Sequence, residues 1–336
     1  MKTNLRWLTR SVLALALFVL AAGSHAALGQ DVLTGTWTAS VGDEKHGQKF
    51  GQKFEKSGES DDESDWQKEG GKRDGLHLSL ERRTERGKQS HYSMGQSYDF
   101  ADLQGLTREQ ALAGGPVRFA LVREAGRVDF EGSFQAGKGS GIFTFTPDRG
   151  FLGAMKSRGF DFEKTNWRDD REEPENKQFA AAMVNVTTAL ADDLLSADFG
   201  QLDVDDLFKA AIFKVNSKFM REMKASGFPG LRMEELVKAR IFRIDADFVR
   251  EAARLGFDKE PFESLVKMRI FKVTPEFVAE VRGEGLNDLA VEDLVKMRIF
   301  NIDADFIRRA RAEGVPLEVE ALVQQRIGVG RRRGRQ

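Results

Sequence analysis

Residues 265–286 read LVKMRIFKVTPEFVAEVRGEGL. The same spine stands 29 residues earlier in LVKARIFRIDADFVREAARLGF (236–257) and 29 residues later in LVKMRIFNIDADFIRRARAEGV (294–315). Along the chain a leucine recurs at Leu207, Leu236, Leu265, Leu294 and Leu322. Five residues on stand Ile212, Ile241, Ile270, Ile299 and Ile327. Twelve after the first four leucines come Phe219, Phe248, Phe277 and Phe306, and twenty after them Gly227, Gly256, Gly285 and Gly314. Four columns held in register at one period are the signature of a repeat array.

Each unit reads as two short helices. The first carries apolar residues three before the leucine, at it, and one and five after it, as in Phe262, Leu265, Val266 and Ile270. That spacing is expected to make one buried helical stripe. Thr187, Asn216, Asp245, Thr274 and Asp303 stand where the second helix starts, and each is a side chain that caps exposed first-turn N–H groups. Pro275 sits just inside one such start, where its missing N–H costs nothing. The glycine column closes the second helix, since a left-handed terminal residue suits glycine. A weaker unit precedes these at Met183, Val186, Leu190, Leu194 and Phe199, with Asp198 in the glycine place. A half unit stands earlier at Phe151, Met155, Gly159 and Phe160. A two-helix unit this short buries its stripe only by stacking on neighbours.

Toward the N-terminus the period changes from helical to two. Trp37, Ala39 and Val41 alternate with polar residues, as do Leu76, Leu78 and Leu80, and Val117, Phe119 and Leu121. Val128, Phe130 and Phe134 follow, with Gly132 on their face, then Phe143 and Phe145. Alternation places apolar side chains on one side of a strand. Five to seven antiparallel strands are expected, as a sandwich, a barrel or a single curved sheet. Thr107-Arg108-Glu109-Gln110 is a capping box that starts one short helix within them. The acidic run 56–71, which contains Trp66, reads as a hairpin loop, because it lacks the ordered ligand ladder of a calcium loop.

The first residues read as an export signal. Lys2, Arg6 and Arg10 precede the apolar run Ser11 to Ala22, and Ser24-His25-Ala26 fits small-residue cleavage. The run is too short to span a bilayer. The expected class is thus α+β: a small antiparallel β-domain followed by an α-helical repeat array. The expected boundaries are a signal peptide at 1–26, the β-domain at 27–146 and a half repeat with a charged loop at 147–177. The array follows at 178–329, then a basic, disordered tail at 330–336.

Without the signal the chain carries 49 basic and 53 acidic residues, and four of the basic ones are Arg331, Arg332, Arg333 and Arg335 in the tail. The folded part is therefore mildly acidic, unlike a nucleic-acid footprint. There is no cysteine, which excludes disulfides, thiolate metal sites and cysteine nucleophiles. His25, His46, His77 and His91 are scattered. No serine sits in a Gly-x-Ser-x-Gly elbow. Gly132-Ser-Phe-Gln-Ala-Gly137-Lys138-Gly139 resembles a phosphate loop but has glycine where that loop needs Ser or Thr, and a strand pattern follows it. It reads as a hairpin turn. No cofactor is expected.

The acidic pairs Asp205/Asp206, Glu234/Glu235 and Glu292/Asp293 open first helices, where the helix dipole favours negative charge. Asp205 and Lys209, Glu234 and Lys238, Glu263 and Lys267, and Glu292 and Lys296 are spaced for pairing along one helix. A candidate partner-binding stripe is Lys238, Arg240, Lys267, Arg269, Lys296 and Arg298, which stacking would align into a basic face. Its alternative is a solvated face neutralised by the acids beside it.

The blocks DLQGLTREQ (102–110), VREAG (122–126), GIFTFTP (141–147) and the 265–286 stretch resemble a group of exported bacterial proteins without an assigned role. Similar repeats occur in the extracytoplasmic tails of β-lactam-sensor-type membrane metallopeptidases. The resemblance spans nearly the whole chain beyond the signal, but the peptidase's His-Glu-x-x-His is absent. What it implies is an accessory or sensing role outside the membrane. The expected function is extracytoplasmic, non-catalytic binding of a protein or peptide, with no nucleic-acid partner and no membrane span after cleavage. The alternative is a β-domain that binds a ligand such as a glycan, with the array as spacer. A hydrolase with a tertiary-assembled site is a third reading, which a carboxylate cluster in a cleft would favour.

Overall fold

A computed structural model describes residues 32–42, 75–84, 90–164, 174–198 and 200–328. The expected signal, the acidic loop at 56–71, the basic tail, His25, His46, Phe199 and the side chain of His91 lie outside the described residues, as does 165–173 of the charged loop.

The strands are β1 (Leu33–Val41), β2 (Gly75–Thr84), β3 (Ser90–Asp99), β4 (Leu103–Gln104), β5 (Gly115–Arg123), β6 (Gly126–Gln135) and β7 (Lys138–Pro147). They form one seven-stranded sheet in the order β3-β2-β1-β7-β6-β5-β4, and every neighbouring pair is antiparallel. The two edge strands, β3 and β4, are joined by a single 3-10 turn, Phe100–Asp102. Four residue steps reach at most about 14 Å. The sheet therefore curls until its edges nearly meet, and of the three architectures left open by the alternation it is the curved sheet.

The alternating residues are the buried ones. Trp37, Leu76, Leu78, Leu80, Leu121, Val128, Phe130, Phe143 and Phe145 are all at most 1% exposed. Trp37 lies edge-on to Phe119, with ring centroids 5.4 Å apart, and Phe119 stacks on Phe130 at 4.6 Å. The indole needs glycine beneath it: a Cβ at Gly132 would fall 2.7 Å from Trp37 Cζ2, and one at Gly139 2.8 Å from Cζ3. The phosphate-loop look-alike is thus the β6–β7 hairpin, turning at Ala136 (φ 48°) and Gly137 (φ 75°) as a tight two-residue connection requires. Helix α1 (Arg108–Ala113) carries the expected capping box, with Thr107 Oγ1 accepting from Gln110 N at 3.2 Å and Gln110 Oε1 from Thr107 N at 2.9 Å.

After α2 (Phe151–Lys156) the chain enters α3 (Pro174–Val184), whose residues from Lys177 to Met183 are all buried. A helix buried on every side must be covered on every side and its polar side chains paired, as Lys177 is by donating to the Phe162 carbonyl at 3.2 Å. One side is the sheet: Phe179 stacks parallel on Phe143 at 5.3 Å and leans on Phe145 at 5.1 Å. Tyr98 donates to the Met183 carbonyl at 2.9 Å, and Gln178 Nε2 donates to the carbonyls of Ala125 (2.8 Å) and Asp148 (2.6 Å). On another side α3 meets α5. The first helix of the array is therefore also part of the sheet's core, and one hydrophobic cluster runs through both halves.

The array continues through α4 (Thr188–Leu195), α5 (Val204–Phe213), α6 (Ser217–Ala225), α7 (Met233–Ile241) and α8 (Ala246–Arg254). It ends with α9 (Phe262–Ile270), α10 (Pro275–Gly283), α11 (Val291–Ile299), α12 (Ala304–Ala312) and α13 (Val319–Arg326). The five capping side chains accept from the N–H three residues on, as Asp245 does from Phe248 at 2.9 Å. The half unit has the expected ending too: Phe160 N donates to Met155 O at 3.1 Å, as Phe257 N does to Ala252 O at 3.0 Å. These are the closing bonds of a left-handed helix terminus.

Candidate interaction surface

First helices supply the array's candidate surface. On α9 the buried residues are Phe262, Ser264, Leu265, Val266 and Met268. Glu263, Lys267 and Ile270 fall at i, i+4 and i+7 and share the opposite face. The isoleucine column is consequently not the end of the core stripe that its spacing suggested. Ile241 is 45% exposed, Ile270 48%, Ile299 51% and Ile327 55%. The core position is instead three after the leucine, where Ala239, Met268 and Met297 are at most 1% exposed.

The lysines beside the isoleucines join successive units. Lys209 donates to Glu234 at 2.7 Å, Lys238 to Glu263 at 2.6 Å, Lys267 to Glu292 at 2.5 Å and Lys296 to Glu320 at 3.0 Å. For Lys238, Lys267 and Lys296 these bonds replace the pairing along one helix that the i,i+4 spacing suggested, while Lys209 also keeps Asp206 of its own helix at 3.6 Å. Each of these glutamates is held by the lysine of the preceding unit. The hydrogen bond from Lys209 holds the Glu234 carboxyl below its usual range. Burial pulls the Lys209 ammonium down, but Glu234, Asp206 and Asp203 together outweigh it and the net shift is upward. The bond to Glu320 raises Lys296. Exposed pairs of this kind contribute at most about 1 kcal/mol each.

The arginines reach backward. Arg240 lies over the Phe219 ring and Arg269 over Phe248, each at 3.8 Å, while Arg298 lies over Phe277 at 4.8 Å and Arg326 over Phe306 at 5.1 Å. Arg269 also donates to Arg243 O at 2.9 Å, Arg298 to Phe271 O at 3.1 Å and Arg326 to Phe300 O at 3.0 Å. Those carbonyls lie at the C-terminal end of the preceding first helix, where cations are favoured. Burial lowers the pKa of Arg240 and Arg269, partly opposed by nearby acids.

The six residues of the candidate stripe are thus brought into line, but their charges are used inside the array. Lys238, Lys267 and Lys296 bind the next unit, and Arg240, Arg269 and Arg298 stack on the one before. The face left over is the ladder of isoleucines beside paired, neutralised charges. Stacked helix axes lie about 8–10 Å apart, which sets the spacing of its rungs. Single exposed apolar residues elsewhere, such as Ile142 and Leu112, are ordinary surface.

Among the described residues no group of three or more His, Asp or Glu side chains is placed to hold a metal ion, and no helix is long and apolar enough to cross a membrane. His77 sits on β2 with Nδ1 3.2 Å from Ser97 Oγ. Comparison with models of protein families, with curated proteins and with solved structures finds no match to this chain.

Proposed function

We propose that this chain is a non-catalytic, extracytoplasmic interaction protein, and that its array binds a protein segment along Ile241, Ile270, Ile299 and Ile327. The observation that carries this reading is the in-register exposure of that column at 45–55% in the last four units, Ile212 in the first being half-buried, while the leucine column beside it is buried throughout. A repeat maintained for folding alone has no use for a β-branched apolar residue in water at the same place in four successive units. The partner's chemistry follows from the spacing and the charge. The lysines and glutamates flanking the ladder neutralise one another, so an apolar contact needs no compensating charge. An amphipathic helix rises about 10.5 Å over seven residues. It presents apolar side chains at i, i+7 and i+14 close to the interval of the rungs, as helix-in-surface recognition requires. The curled sheet, its inner face filled by aromatic rings, serves as the rigid base of the array.

Affinity capture tests this reading. Full-length protein without its signal, immobilised, is expected to retain a specific partner from the extracytoplasmic fraction of its source. The Ile270→Asp/Ile299→Asp variant, with an unchanged melting temperature, is expected to lose it. Equal retention by both proteins overturns the assignment of the ladder.

A further inference from the structure

The seam where the sheet fails to close meets the first two units of the array, and a cleft of about 420 Å³ lies there. Asp99 ends β3 and Asp102 precedes β4, so both carboxylates stand at the seam. Arg123 ends β5 beside them. From the array come Asn185 and Lys214, the left-handed residues that follow α3 and α5, with φ of 60° and 58°. Equivalent residues in later units, such as Arg243 and Lys272, have the same conformation but are not part of the cleft. His77 of β2 completes the polar wall.

Not every polar group of this cleft is satisfied. Arg123 gives Nη2 to Asp102 Oδ1 at 3.1 Å, with its side chain 16% exposed. Its Nε is buried and has no hydrogen-bond partner among the described residues. A buried donor left unmade is costly, so such groups mark a place where an acceptor belongs. The Asp99 carboxylate and the Lys214 ammonium are exposed, and neither has an ionic or hydrogen-bonded partner among the described residues. The cleft therefore offers the exposed part of the Arg123 guanidinium and an ammonium on one hand, and an unpaired carboxylate on the other. A guanidinium matches a carboxylate in shape and charge. An unpaired aspartate matches an ammonium. A ligand answering both carries both charges.

We infer that this cleft binds a small zwitterion, an amino acid or a short peptide with free termini, whose carboxylate meets Arg123 and Lys214 and whose ammonium meets Asp99. The volume lies within the range of about 300–1,000 Å³ usual for small-molecule sites. This binding is independent of the isoleucine ladder.

Isothermal titration of the full chain with trialanine tests the inference, with N-acetyl-trialanine amide as the probe lacking both charges. Trialanine is expected to bind and the blocked peptide to bind at least about tenfold more weakly, since charge-assisted hydrogen bonds are lost. Asp99→Asn and Lys214→Gln, both at exposed positions, are each expected to weaken trialanine about tenfold. Neither should change the melting temperature of the free protein. Absence of trialanine binding, equal affinity for the blocked peptide, or unchanged affinity in both exposed variants overturns it.

Discussion

The guanidinium of Arg269 lies 3.8 Å over the ring of Phe248, a residue of the preceding unit. It also donates to the carbonyl of Arg243, the left-handed residue that ends the preceding first helix. One side chain thus covers an aromatic ring and a helix C-terminus together, and the same contact to the ring recurs at Arg240, Arg298 and Arg326. Neighbouring units are held by this stitch and by the buried stripe, with the lysine–glutamate ladder outside.

Replacing Arg269 by lysine keeps the charge but removes the planar stack and the donor fork. The expected loss is about 1–2 kcal/mol, the scale of a partly desolvated cation–π contact with its hydrogen bond. Chemical denaturation measures it. A silent Arg269→Lys would mean that charge alone matters at this position.

Acid should loosen the ladder. The Glu234 carboxyl is held low first by the hydrogen bond from Lys209. Its folded pKa lies below its unfolded one, so its contribution is present above the ordinary glutamate value of about 4.3 and is lost as pH falls through the folded value. Thermal melts between about pH 6 and pH 3 are expected to show a shallower decline in Glu234→Gln than in the parent. Parallel declines would remove this pair from the account.

The period of two and the period of 29 made the sheet, the repeat and its caps legible, because Thr, Asn and Asp announce a helix start. The phase of the isoleucine was not legible. Five residues turn a helix by about 500°, leaving Ile270 about 140° from Leu265, whereas Met268 lies only about 60° away on the other side. Spacing alone put the isoleucine at the edge of the stripe, and packing chose the methionine. The left-handed ends of the first helices were hidden for another reason. Asn185, Lys214, Arg243, Lys272 and Asn301 adopt φ from 50° to 60° without a glycine to mark them. What holds them is the closing bond made by the residue that follows, as when Ile244 N binds Ala239 O at 2.8 Å with Ile244 fully buried. The lysine partners were ambiguous because an acid four residues back and a glutamate 24 or 25 residues ahead compete for each ammonium.

Glycines of two kinds should respond alike. Gly256 closes α8 at φ 92°, where an added Cβ would meet only Arg282 Nη2, at 4.0 Å. Gly137 turns the β6–β7 hairpin at φ 75°, where a Cβ would press Leu112 at 3.3 Å. Both positions need a left-handed backbone. Alanine at either is expected to cost about 1–2 kcal/mol. Denaturation midpoints decide, and a neutral Gly137→Ala would contradict the expected cost at the hairpin.

Phe179 should couple the two halves. It stacks on Phe143 of the sheet while α3 packs on α5. Phe179→Ala is expected to cost about 3–5 kcal/mol. The near-ultraviolet aromatic signal, to which buried Trp37 contributes, and the helical signal should fall earlier together. A shift in only one of them would show that the halves melt as separate units.

The ladder is tested most directly by photo-crosslinking inside the source organism, with a photoreactive phenylalanine analogue placed at position 270, at 299 or at the exposed sheet position 142. The account predicts one adduct of common mass from 270 and 299 and its absence from 142. No adduct at either ladder position, or the same adduct from all three, would contradict it.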